Sequence, residues 1–363
     1  MEYKCLESIN SLYVSKSYKG YSTRPCCLWK GDPEPHHFVD NISDLVDNSK
    51  ALDEIRQGFI GDWKRPECNT CIVNESIGKP SKRLRSLRRG NDRGIVRWDL
   101  RPGHTCNLKC VMCNPWNSSK WYEDINLYKS FNKFPSTLTS EDRLSRETLD
   151  WDWIYENCID KAEMIYIAGG EPFYMKPVQK FLERLSNHEW NCNNTKILLQ
   201  TNGVSNTAKL LKTLSKFKIL QFGISCDGWK SVNELIRFPT KHDVFVKNVN
   251  ELIELKTPEL FFNITLQAMN LVNIDKLISK IKEKWNGKYD IHNLGNPYHL
   301  RIDCLKPSVV EEVERTTQIP ELKKYIESYK YNEELNKKMK NFLLELDAKR
   351  GTNSKKIIPW CFE

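Results

Sequence analysis

From residue 96 onward the chain alternates short apolar runs with stretches whose apolar residues recur at helical spacing. The runs 96–100, 164–168, 196–200, 219–225, 260–267 and 300–303 are strand-sized. Between them, Val178, Phe181, Leu182 and Leu185 fall at i, i+3, i+4 and i+7, and Phe245, Val249, Leu252 and Ile253 at i, i+4, i+7 and i+8. Each set lines one face of a helix. Strands alternating with helices predict βα units on a parallel sheet. Six such units make three quarters of an eight-fold barrel, so the expected fold is α/β, a partial (βα)6 barrel whose open side admits a large substrate. Active sites of parallel βα barrels collect at the carboxyl ends of the strands.

The flanks follow other patterns. Residues 1–95 are punctuated by Gly, Pro and Cys, with a helix expected over 42–60 and little strand alternation, which predicts a small metal-organised module. Leu335, Met339, Phe342, Leu343 and Leu346 mark a late helix within a C-terminal helical extension. The expected organisation is a module over 1–95, a barrel over 96–310 and the extension over 311–363.

Composition narrows the setting. Thirteen cysteines without a signal peptide or long apolar run predict a cytoplasmic protein, since reduced thiols hold metal more often than they pair. The longest apolar stretches are strand-sized, so no membrane span is expected. Net charge is +9, and between residues 79 and 101 nine Lys or Arg face only Asp92 and Asp99. Such a segment either binds phosphates and nucleic acid or forms a solvated linker face, the reading favoured by its lack of aromatics before Trp98.

The densest chemistry lies in His104-Thr-Cys-Asn-Leu-Lys-Cys-Val-Met-Cys113, where Cys106, Cys110 and Cys113 form CxxxCxxC. Three thiolates at this spacing suit three irons of a 4Fe-4S cube and leave the fourth open. Zinc, completed by His104, is the competing reading, although structural zinc usually takes four closed ligands as paired CxxC motifs. The triplet resembles that of the radical S-adenosylmethionine (radical SAM) superfamily. The resemblance implies that the open iron chelates the methionine part of S-adenosylmethionine, and that one electron splits the sulfonium to a 5'-deoxyadenosyl radical.

Motifs at successive strand ends extend the resemblance. Gly169, Gly170, Glu171 and Pro172 resemble the GGEP motif, where glycines let backbone approach the ligand and acceptors receive the methionine ammonium. Thr201 and Asn202 resemble the TNG strand end, and Ser225 and Asp227 the SxDG end that meets ribose hydroxyls. The resemblance places Arg237 near the cofactor carboxylate, which a guanidinium can meet bidentately, Met112 against the adenine, and Gln267 and Asn270 among the polar contacts to S-adenosylmethionine.

Cys5, Cys26, Cys27, Cys68 and Cys71 remain. One of the adjacent pair Cys26 and Cys27, with Cys5, Cys68 and Cys71, makes four thiolates, enough to close a second 4Fe-4S cluster or to hold zinc, and Cys361 is an alternative to Cys5. The segment resembles the SPASM and twitch auxiliary-cluster modules of radical SAM enzymes, set before the barrel rather than after it. Residues 319–323 and 346–350 add a weaker likeness to twitch-containing members. Cys158, Cys192, Cys226 and Cys304 read as small apolar fillers.

The expected function is hydrogen abstraction from an organic substrate, a peptide or protein first, with a nucleotide, sugar phosphate or nucleic acid as the alternative. An external donor such as flavodoxin or ferredoxin would supply the electron. A zinc-stabilised, non-enzymatic nucleic-acid-binding protein would explain the charge and the CxxC, but not the motifs at successive strand ends. No residue identifies the acid or base of the reaction.

Overall fold

A computed structural model describes residues 5–17, 20–24, 26, 28–29, 38–47, 53, 56–60, 63–76, 78, 80–89, 94–132, 149–255 and 258–363. The chain is mixed α/β with parallel strands and divides into two compact units. The first comprises Met1–His104, Leu138–Leu199 and Ala208–Leu220, and the second Thr105–Thr137, Gln200–Thr207 and Gln221–Glu363.

In the first unit β1 (Ser11–Ser17) carries β2 (Gly20–Ser22) as an antiparallel neighbour, and β3 (Phe38–Val39) pairs antiparallel with β2. On its other side β1 pairs in parallel with β4 (Arg97–Arg101), β4 with β5 (Met164–Ile167), and β5 with β6 (Lys196–Thr201), whose last two residues fall in the second unit. The register sets Leu12 beside Trp98, Trp98 beside Ile165 and Ile165 beside Ile197, so one row of apolar side chains crosses the sheet. The helix Lys176–Leu185 has Pro177 in its first turn and buries Val178, Phe181, Leu182 and Leu185, the face expected from its spacing. Burial of each such side chain contributes about 1.5–3 kcal/mol.

β1 corrects the expectation of little strand structure before residue 95. Leu12 and Val14 are fully buried and alternate with Ser11, Tyr13 and Ser15, a period-two signal only five residues long. Its parallel pairing with β4 puts this segment in the same compact unit as β5. The helix expected over 42–60 is described only in part, as the short helix Asp44–Asp47 and the helical residues 53, 56 and 57, because 48–52 and 54–55 lie outside the described residues.

In the second unit β7 (Ile219–Ser225), whose first two residues fall in the first unit, β8 (Glu259–Leu266) and β9 (Lys288–Asn293) are parallel neighbours. The strand expected at 300–303 is replaced by two short 3-10 turns, Tyr298–Leu300 and Ile302–Cys304, and the sixth βα strand is β9 instead. Leu300 and Ile302 are both buried, which mimics strand alternation, yet the Leu300 carbonyl accepts from Ala268 N just past β8. The helices His242–Ile253 and Ile274–Trp285 pack on these strands, with Trp285 stacked on Phe262. The last long helix, Glu333–Arg350, is capped by Asn332 accepting from Leu335 N and ends at Gly351 with φ +64, a left-handed position suited to glycine.

Candidate metal centres and cofactor site

The cysteine triplet lies on a loop of the second unit whose backbone is tied on several sides. Lys109 N donates to Phe238 O at 2.8 Å and Val111 N to Ile236 O at 2.7 Å. Cys106 N donates to Ser119 Oγ at 3.1 Å, and Trp121 Nε1 to Cys110 O at 2.9 Å. With the backbone engaged, Cys106, Cys110 and half-buried Cys113 gather in one apolar cluster with Leu108, Met112 and Val204. Met112, half-buried, packs against the same cluster.

Burial pushes the Cys110 and Cys113 thiols up, and the charges of Cys110 and Cys106 push Cys113 further, whereas Arg237 and Arg350 pull Cys110 down. A site that raises its thiols holds three thiolates only when a positive group binds among them, which is what an iron–sulfur cluster provides. No three His, Cys, Asp or Glu side chains among the described residues converge as a single metal ion requires. A cube takes one thiolate at each of several separate irons and makes no such demand.

The ends of β7 and β8 meet around Asp227. This carboxylate has no exposed surface; Oδ1 accepts from Thr265 N at 2.6 Å and Oδ2 stands 2.7 Å from Arg237 Nη2. Asn270 Nδ2 donates to Asp227 O and Thr265 O, and Asn270 Oδ1 accepts from Gln267 N, so Asn270 joins the two strand ends. Both Asp227 oxygens and the whole Asn270 amide thus have partners inside the protein. Asp227 Oδ2 has only this ion pair, and Gln267 Oε1 and Arg237 Nε, like it, are buried without a hydrogen-bond partner. Gln267 Oε1 accepts and Arg237 Nε donates, which fits a zwitterionic ligand bearing ammonium and carboxylate groups.

The remaining strand-end residues have local duties. Asn202 Nδ2 donates to Asn107 Oδ1 within the cysteine loop, while Asn202 Oδ1 accepts from Val204 N and Thr201 Oγ1 from Gly203 N. Gln200 Nε2 donates to Ser225 Oγ at 3.1 Å. In the first unit Gly169 and Gly170 have φ of +119 and +53, and a Cβ on Gly169 would lie 3.2 Å from Gly103 O, so glycine is required there. Glu171, next to Pro172, has no exposed surface and accepts from Phe173 N at 3.0 Å.

Four N-terminal cysteines line one cavity of the first unit: Cys5, Cys26, Cys68 and Cys71, with Trp29 and Trp63. Cys68 ends the 3-10 turn Pro66–Cys68 and Cys71 follows on the helix Asn69–Ser76, three residues on and on the same face. Burial and then the charges of Cys5 and Cys71 push the Cys68 thiol up to about 12; burial chiefly pushes Cys5 to about 11. Cys27 lies outside the described residues. Cys361 is fully buried in the second unit, where its thiol donates to Ala268 O at 3.5 Å, so the cysteine gathered in this cavity is Cys5. Cys158, Cys226 and Cys304 have no exposed surface, as expected of fillers, while Cys192 is only half-buried.

Part of the basic segment is engaged by carboxylates, while Arg85, Arg88 and Arg89 remain exposed. Lys82, Arg89 and Arg97 all meet the buried carboxylate of Glu7, and Arg83 pairs with Glu75 while lying over the Trp63 ring. Local sequence gave no sign of these pairings, since Glu7 is 75 residues or more from its partners. It likewise gave no sign of a cleft of about 730 Å³ in the second unit, lined by Asn114, Trp116, Tyr128, Tyr298, His299 and Lys338. Burial and the Lys338 charge lower His299 to about 4, so its ring is neutral at pH 7.

Residues 100–280 match the family model described as the Radical SAM superfamily. Among solved structures, the chain is similar to Streptococcus suis SuiB bound to precursor peptide SuiA at 15% identity, TM-score 0.39, covering 71% of this chain and 49% of that one. It is similar to anSMEcpe with bound AdoMet and a Kp18Cys peptide at 17% identity, TM-score 0.41, covering 69% and 60%. It is also similar to coproporphyrinogen III oxidase (HemN) from Escherichia coli at 12% identity, TM-score 0.32, covering 56% and 44%. The chain thus spans about half the length of the structures it matches. No curated protein matches it. Among the described residues no helix is long and apolar enough to cross a membrane.

Proposed function

The chain belongs to the radical SAM superfamily and is an enzyme of that class, and from this premise we propose that it cleaves S-adenosylmethionine reductively and takes a hydrogen atom from a peptide or protein substrate. Cys106, Cys110 and Cys113 would hold a 4Fe-4S cluster. The observation that carries this reading is their gathering in one buried apolar patch on a loop with its backbone tied down. With both bound, cluster and S-adenosylmethionine supply one-electron cleavage of the sulfonium and hydrogen-atom abstraction, chemistry that belongs to the cofactors.

The protein's part is to bind, orient and exclude water. Arg237 Nε donates to the cofactor carboxylate and Gln267 Oε1 accepts from its ammonium or a hydroxyl, each ending the isolation of a buried polar atom. Met112, packed against the cluster of Cys106, Leu108 and Cys110, offers an apolar surface to the adenine. Asp227, paired with Arg237, and Asn270, which ties Asp227 O to Thr265 O near Gln267, act one step back by holding these groups in place. The electron comes from an external donor of flavodoxin or ferredoxin type.

For the substrate, the cleft lined by Asn114 and Tyr128 opens next to Cys113 in sequence and combines aromatic walls with primary amides that match peptide N–H and C=O groups. The alternative of a phosphate-rich substrate rested on the basic segment, whose Lys82, Arg83, Arg89 and Arg97 are engaged by Glu7 and Glu75. Cys5, Cys26, Cys68 and Cys71 are proposed to close a second 4Fe-4S cluster.

The test is anaerobic reconstitution followed by iron and sulfide analysis and a 5'-deoxyadenosine assay under dithionite. About eight irons per chain are expected for two cubes. Cys106→Ala/Cys110→Ala/Cys113→Ala should abolish deoxyadenosine formation and retain the N-terminal iron. Zinc as the sole metal, or deoxyadenosine from the triple variant, overturns the proposal.

A further inference from the structure

Arg237 and Cys110 are 127 residues apart and are brought together by two backbone hydrogen bonds that bracket both of them. Lys109 and Val111, on either side of Cys110, donate to Phe238 and Ile236, on either side of Arg237. The register leaves Arg237 Nη1 3.9 Å from Cys110 Sγ in a buried N–H···S contact. On the other side of the guanidinium, Nη2 stands 2.7 Å from Asp227 Oδ2. Arg237 is 7% exposed and Asp227 not at all, so water does not screen the contact. The side chain is clamped between a carboxylate and a sulfur rather than left free to turn toward a ligand with its whole fork.

We propose that Arg237, held in place by Asp227, donates a hydrogen bond to the Cys110 thiolate and thereby raises the reduction potential of the cluster held by Cys106, Cys110 and Cys113. The inference rests on the cluster reading above. Adding one electron makes the cluster and its thiolates more negative, so an N–H donor aimed at a ligand sulfur stabilises the reduced form more than the oxidised form. Hydrogen bonds to sulfur, net charge and solvent exposure are the levers by which a protein sets such potentials. Asp227 is a positioning residue in this arrangement, because it acts on the cluster only through Arg237.

The test is a potentiometric titration of the reconstituted full chain without S-adenosylmethionine, following by electron paramagnetic resonance the reduced signal that disappears in Cys106→Ala/Cys110→Ala/Cys113→Ala. Arg237→Gln should move the midpoint to more negative potential, and Arg237→Lys, which keeps a charge but loses the fork, should move it less. The double variant Asp227→Asn/Arg237→Gln removes both charges and should keep the shift. A return to the wild-type midpoint in the double variant would mean that the unpaired carboxylate, not the bond to sulfur, sets the potential, and the proposal falls. Where the variants do not fold, the wild-type chain labelled with 15N-arginine decides: the reduced cluster should show a 15N coupling, and its absence overturns the proposal. A wild-type chain without any signal assigned to these cysteines sinks the cluster reading itself, whereas a signal whose midpoint is unmoved in Arg237→Gln sinks this inference alone.

Discussion

Arg350, the last residue of the helix Glu333–Arg350, donates through Nε and Nη2 to Oδ2 of Asp124 at 3.1 and 3.0 Å, 226 residues earlier in the chain. Asp124 has no exposed surface, and Lys109 and Lys349 approach the same carboxylate at 3.0 and 3.4 Å. The guanidinium also lies over the rings of Trp121 and Phe238. The C-terminal helix is thereby fastened to the segment that follows the cysteine triplet, with Lys109 inside the triplet as part of the same knot.

Removing one partner of such a buried pair leaves the other charge uncompensated. Arg350→Ala is expected to destabilise the chain by about 3–5 kcal/mol in equilibrium denaturation. A loss below about 1 kcal/mol, the scale of exposed pairs, would show that the contact is only decorative.

The same carboxylate sets a pH dependence. Burial alone would raise the Asp124 pKa, but Lys109 and Arg350 outweigh it and hold the carboxyl below its ordinary value. Its stabilisation is therefore complete above the unfolded value of about 3.9 and is lost as pH falls through the lower folded value. Urea midpoints of the wild-type chain should fall through this acid window more steeply than those of Asp124→Asn. Parallel curves for the two proteins would remove Asp124 as the cause.

Gln267 and Asn270 are three residues apart and should respond differently. Gln267→Ala removes an acceptor that has no internal partner, so S-adenosylmethionine affinity should drop by roughly 0.5–3 kcal/mol, smaller for a hydroxyl and larger for an ammonium, with little change in stability. Asn270→Ala breaks bonds to Asp227 O and Thr265 O and should lower the unfolding midpoint first. Anaerobic calorimetric titration alongside thermal unfolding separates the two effects, and equal affinity in wild type and Gln267→Ala would return Gln267 to a packing role.

For the N-terminal cysteines, Cys68→Ala/Cys71→Ala is expected to remove about four of about eight irons. Dithionite-driven deoxyadenosine formation should survive, because the triplet supplies its own ligands, while turnover of the natural substrate is lost. Unchanged iron content, or one zinc per chain in the wild type, would exclude the second cluster.

Glu7 offers a test away from any metal. Burial would raise its pKa, yet Lys82, Arg97, the Ser11 hydroxyl and Arg89 together lower it. Glu7→Gln should cost roughly 1–3 kcal/mol by leaving these partners unmet. If instead the basic segment were a free binding surface, the substitution would leave denaturation unchanged and strengthen retention on heparin.

The sequence by itself determined whatever depends on near neighbours. CxxxCxxC put three thiols on one loop, Gly169 and Gly170 marked a close turn of the backbone, and short apolar runs located β4 to β8 within a residue or so of their observed ends, because side-chain direction in a strand is set locally. Where the local pattern was short or ambiguous it misled: β1 went unread, and the buried pair Leu300 and Ile302 looked like a strand when β9 lay ten residues earlier. Only the tertiary structure decided which polar groups already have partners. Asp227 and Arg237 read as two cofactor contacts, yet they face each other, and Arg237 also meets Cys110. Lys82 and Arg83 of the basic run read as a solvated face, yet they close on Glu7 and Glu75, and Arg350, on whose charge the sequence was silent, closes on Asp124. A charge taken out of water must find a countercharge wherever the folded chain brings one, and that distance in space is not written in the spacing along the sequence.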